Sequence, residues 1–75
     1  MSVENYRLVV SHFGNQELTA EALEVKQSSV NAWVKGKSCM RPRTAALTQS
    51  LTNGKFKAAE LCPELRECLE LINAL

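Results

Sequence analysis

Long apolar runs are missing from this chain of 75 residues. No stretch approaches the roughly 18 apolar residues a helix needs to cross a bilayer, so no membrane partner is expected. The first residues show no basic segment followed by an apolar one. A signal peptide is therefore not visible, and the cytoplasm is the expected location. Histidine occurs once, at His12, and none of Cys39, Cys62 and Cys68 has a cysteine partner at two-residue spacing. A zinc site would need unusual ligands, and an odd cysteine count gives no closed disulfide framework. The three thiols are expected to be free and buried or half-buried, as cysteines usually are. Neither a metal nor any other cofactor is expected. Tyr6 and His12 lack a partner nucleophile or carboxylate constellation, so the reading is not an enzyme, and no small-molecule substrate is expected.

Repeats, low-complexity tracts and long linkers are absent too. An apolar content of 45% sets the chain apart from a disordered tail. The length fits one small domain over residues 1–75. A domain of that size buries only about 60% of its unfolded surface, so support from a second subunit is expected.

Acid is missing from one region in particular. Residues 35–57 hold Lys35, Lys37, Arg41, Arg43, Lys55 and Lys57 with no Asp or Glu, a charge of +6. The flanking segments 1–34 and 58–75 carry −2 and −3. A net charge of +1 thus averages over a basic block between acidic ends, and such a block can form an anion-binding surface.

What is present reads as helix. Residues 3–13 place Val3, Tyr6, Val9, Val10 and Phe13 at helical spacing, with Gly14 as a stop. Residues 16–23 are rich in helix formers behind Asn15 as a cap. A third helix runs over 26–35. Pro42 opens a fourth over 42–52, and Leu47 and Leu51 are four apart on it. Ala58–Leu61 can make a turn, and Pro63 restarts a helix through residue 75, with Leu65, Cys68, Leu69 and Ile72 in one stripe. The fold class is all-α, with five short helices. The alternative is α+β with a C-terminal β-hairpin at about 44–57, because Asn53-Gly54 is a strong hairpin signal. The Ala-rich segment before it, with no Val, Ile or aromatic residue, favours helix.

The third helix divides into two faces. At about 100° per residue, Val30, Trp33 and Val34 share one side, while Ser28, Asn31, Ala32 and Lys35 take the other. Gln27 sits at the edge of the polar side. Its amides, hydroxyl and ammonium suit base edges: Gln and Asn match adenine, Lys matches guanine, and Ser matches several bases. Ala20, Leu23, Val25, Val30 and Trp33 then follow at positions that close a small core between two crossing helices, which is helix-turn-helix spacing.

Phe13-Gly14, Thr19-Ala20, Leu23, Val25, Gln27-Ser28, Asn31 and Gly36-Lys37 resemble the lambda Cro-like helix-turn-helix of the phage Cro repressor family. The likeness covers roughly residues 6–37. The later stretch "TNGKFKAAELCPEL", residues 52–65, is similar to a segment of prophage Cro-like repressors. The resemblance implies a dimeric, sequence-specific transcriptional repressor on a pseudo-palindromic DNA operator, acting at the nucleoid of a bacterial host. It implies that Lys26, Gln27, Ser28 and Asn31 read bases in the major groove. It further implies Gln16 as a phosphate contact, with Lys35, Lys37, Arg41 and Arg43 neutralising further phosphates. Two positions depart from the family pattern: Glu24 stands where Gly is usual in the turn, and Ala32 where a longer polar reader is common. The family's C-terminal halves are either helical or end in a β-hairpin, so the likeness leaves 44–57 open.

The stripe Leu65, Cys68, Leu69 and Ile72 can cover the chain's own core or face a second subunit in a weak homodimer. A rival reading from another class is a small helical protein-interaction module, such as an antitoxin or antirepressor that does not read DNA.

Overall fold

The computed structural model describes residues 2–74, with side chains from Val3 to Ala74, and every regular element in that span is a helix. The order is α1 (Ser2–Phe13), α2 (Gln16–Leu23), α3 (Gln27–Val34), α4 (Pro42–Leu51), α5 (Ala58–Leu61) and α6 (Pro63–Ala74). Six helices, rather than five, are thus found among the described residues; the Ala58–Leu61 turn closes as an element of its own. Leu75 lies outside the described residues.

The hairpin alternative over 44–57 is not supported: the described residues contain no strand there. Asn53 and Gly54 do adopt positive φ, 52° and 81°, as a tight hairpin turn would require. Here the same property stops a helix. The Gly54 N–H donates to the Gln49 carbonyl at 2.8 Å and the Asn53 N–H to Ser50 at 3.2 Å. This nested pair is the Schellman motif, which satisfies the last carbonyls of α4.

The motif recurs at the ends of the two preceding helices. After α3, Gly36 takes φ 75°, the Lys37 N–H donates to Ala32 at 2.9 Å, and the Gly36 N–H donates to Trp33 at 3.1 Å. After α2, Glu24 takes φ 57° and ψ 43°, the Val25 N–H donates to Ala20 at 3.0 Å, and the Glu24 N–H donates to Glu21 at 3.3 Å. The turn at Glu24 is therefore left-handed although the residue is not glycine. For an L-residue with a Cβ that conformation costs about 1–2 kcal/mol. The side chain itself is exposed.

Tyr6, Val9, Ala20, Leu23, Val30, Trp33, Met40, Ala45, Phe56, Leu61 and Cys62 form one buried cluster. All of α1 to α5 contribute to it, and so does the loop after α3. The helix-turn-helix core expected from spacing is there: Ala20, Leu23, Val30 and Trp33 are buried, and Val25 packs against them. Of the two leucines the sequence marked on α4, Leu47 is half-buried against the core and Leu51 is exposed, while Ala45 and Thr48 are the fully buried positions, with Thr52 behind them. Buried threonines are tolerated because their hydroxyls donate back along the helix, Thr48 to the Thr44 carbonyl at 2.8 Å and Thr52 to Thr48 at 2.7 Å. The cysteine expectation also needs correction. Cys62 is buried, but Cys39 and Cys68 are exposed free thiols.

Candidate nucleic-acid interface

The expected reading edge lies at the start of α3. Gln27 and Ser28 occupy its first turn and are exposed, Lys26 precedes them as the N-cap, and Asn31 is half-buried one turn on. Val30 and Trp33 anchor the opposite face in the core, with Val34 half-buried beside them. Ala32 is half-buried, so the departure from a longer side chain leaves little to reach outward there.

The electrostatics of the helix starts differ. Lys26 makes no side-chain cap and no acid stands in the first turn of α3; Arg41 and the first turn of α4 repeat this. Both N-termini keep the positive end of the helix dipole uncompensated by a local carboxylate. The start of α2 is built otherwise. The Leu18 N–H donates to Asn15 Oδ1 at 2.8 Å, and Glu17 adds an acid. Gln16 is half-buried between those two, a less electropositive place than its expected phosphate role would favour.

Lys35, Lys37, Arg41 and Arg43 are all exposed. Among the described residues the one ion pair is Arg66 to Glu70, 3.4 Å, on the surface of α6. Among the described residues, therefore, no cation of the 35–57 block forms an ion pair. Arg41 and Arg43 line different grooves. Arg43 lines a groove with Leu23, Glu24, Val25, Thr44 and Leu47, next to the helix-turn-helix turn. Arg41 lines another with Ser38, Cys39, Met40, Cys62, Pro63 and Glu64, at the start of α6. Lys55 lies 5.7 Å from the centre of the Phe56 ring, in the turn between α4 and α5.

The C-terminal stripe splits in two. Leu65 is half-buried and packs against the core cluster. Cys68, Leu69 and Ile72 are exposed, with Leu69 48% and Ile72 63% accessible. No residue of α6 is buried. Among the described residues no three His, Cys, Asp or Glu side chains gather as a metal-binding group, and no helix is long and apolar enough to cross a membrane.

One link to the site goes beyond any reading of local spacing: helical spacing places Tyr6 on the inner face of α1 but gives none of its partners. The Tyr6 ring meets that of Trp33 at 5.9 Å, tilted by 39°, and its hydroxyl bonds to the backbone of Met40 and Leu61. Those partners stand 34 and 55 residues away along the chain, beyond the reach of any periodicity.

Comparison with known proteins decides the family. Over 58 residues the chain is 52% identical to the regulatory protein Cro of Pseudomonas phage D3, spanning 77% of this chain and 80% of that protein. The chain belongs to the phage Cro family. No family model and no solved structure matches it. In this Cro-family chain, Glu24 occupies the left-handed position of the turn between α2 and α3, the element on which the aim of α3 depends.

Proposed function

We propose that this Cro-family chain is a sequence-specific DNA-binding transcriptional repressor of phage or prophage origin, and not an enzyme. The observation that carries the reading is the pairing of an exposed, carboxylate-free polar edge on α3 with an acid-free basic stretch directly after it. With α3 in the major groove, Lys26, Gln27, Ser28 and Asn31 meet base edges. Lys35, Lys37, Arg41 and Arg43 meet phosphates, with Gln16 as a further contact. Two copies occupy a pseudo-palindromic operator, and the exposed face of Cys68, Leu69 and Ile72, continued by Leu65, joins them. Residues 1–75 act as one domain. Repression follows by occlusion, since a dimer over the operator blocks polymerase at the nucleoid, in the bacterial cytoplasm.

A gel shift on random duplex DNA over a range of salt tests the DNA reading. Its expected result is binding whose logarithm falls linearly with the logarithm of salt, in proportion to the phosphates neutralised. Absence of salt-dependent binding would instead favour the antitoxin- or antirepressor-like protein module. Sedimentation from micromolar to millimolar concentration, with and without duplex, tests the dimer. A strict monomer under every condition would refute it.

A further inference from the structure

Resting on the DNA-binding reading above, we propose that the Tyr6 hydroxyl is a positioning residue for operator recognition. It sets where the basic loop 35–41 stands relative to α3 and to the start of α6. The oxygen has two backbone partners from distant parts of the chain. It accepts the Met40 N–H at 2.9 Å and donates to the Leu61 carbonyl at 2.6 Å. Its ring meets Trp33, on the buried face of α3, at 5.9 Å. Tyr6, Met40 and Leu61 are all buried to within 1%, so the two bonds lie in the dry core.

Each partner stands beside a functional element. Met40 directly precedes Arg41 and follows Lys37 by three residues, within a loop that has no helix of its own. Leu61 ends α5, two residues before Pro63 opens α6. The Met40 N–H has one proton to give, and it gives it to Tyr6. Thr48 adds only a weak contact to the Met40 sulfur, 3.7 Å. One phenol thus ties together the helix of base readers, the loop of phosphate contacts and the base of the C-terminal stripe.

The consequence is for specificity rather than for attraction. On an operator, base contacts and phosphate contacts must be met in one register. On random duplex, charge alone suffices. A loop free to shift keeps its charge but loses its register.

Tyr6→Phe keeps the ring and removes only the oxygen. The test compares affinity for a duplex that the native protein selects from a random pool with affinity for a scrambled duplex. It is run well below the melting temperature of every variant, with amide exchange at Met40 followed in parallel. Val9→Ala, a buried change on the same helix, serves as the control for lost stability. For Tyr6→Phe, discrimination between the duplexes should fall about tenfold while scrambled-duplex affinity stays within about twofold. Met40 exchange should accelerate more than that of core amides in α2 and α3. Val9→Ala should keep both discrimination and selective Met40 protection. The proposal is overturned if Tyr6→Phe discriminates like the native protein, if Met40 exchange only follows global stability, or if Val9→Ala loses discrimination equally. A native protein that selects no duplex would defeat the DNA reading instead. Selective loss of Met40 protection would then show only that Tyr6 holds the loop, and its role in recognition would fall with the DNA reading.

Discussion

Two amphipathic helices of this chain solve the same problem in opposite directions. α3 turns its apolar face inward, burying Val30 and Trp33, and leaves Gln27 and Ser28 exposed. α6 buries nothing fully and leaves Leu69, Leu71 and Ile72 about half to two-thirds exposed. Burial by its own chain fixes α3 as a rigid carrier for polar groups. The lack of such burial leaves α6 with apolar surface uncovered among the described residues, which is where the proposed second copy enters. The difference does not come from amphipathicity as such. It comes from what lies against each helix: α3 packs on both α1 and α2, whereas α6 packs on α5 and sets only Leu65 against the core cluster.

The strongest way to break the comparison is Trp33→Ala. Losing that ring should cost about 3–5 kcal/mol, a large part of the roughly 5–15 kcal/mol that a domain has. A thermal melt should show a drop of some ~15–30 °C or no cooperative transition. Glu24→Gly sharpens the other side of α3, where the turn aims it. Removing the Cβ from a left-handed residue should raise stability by about 0.5–1 kcal/mol, less than the full strain because glycine also orders at greater entropic cost. A lower melting temperature would mean that Glu24 makes a compensating contact. The smallest effect on the monomer belongs to α6. Leu69→Ala and Ile72→Ala should change monomer stability by no more than about 0.5 kcal/mol, yet weaken the proposed dimer when association is followed by sedimentation. Equal destabilisation by Leu69→Ala and Val30→Ala would erase the distinction between the two helices.

Much of this is legible in the sequence. Helical spacing gives each helix its inner face, Ala20 and Leu23 on α2 and Val30 and Trp33 on α3, and the tight turn at Glu24 brings the two faces together. Asn53-Gly54 was ambiguous for a physical reason. A hairpin turn and a Schellman stop both ask for positive φ, and only the bonds back to Gln49 and Ser50 distinguish them. The inner face of α4 escaped an apolar count because its threonines are buried with hydroxyls returned to their own helix. Tyr6 escaped entirely as a tie between elements, since its partners are remote in sequence. Within the candidate site, the residues of α3 were readable from one helix's period. The separation of Arg41 from Arg43 into different grooves depends on how α4 lies against α2 and how the 38–41 loop lies against the start of α6, which no local pattern encodes.

The division of labour between the polar edge of α3 and the basic block after it is best tested by one paired measurement. Asn31→Ala and Lys37→Ala are each titrated against the selected operator and a random duplex at several salt concentrations. Asn31→Ala should lose about 1–3 kcal/mol on the operator, relax preference at one base pair and leave random-duplex binding nearly unchanged. Lys37→Ala should weaken both duplexes alike and reduce the salt slope by about 1. Identical behaviour of the two variants on both duplexes would contradict the assignment.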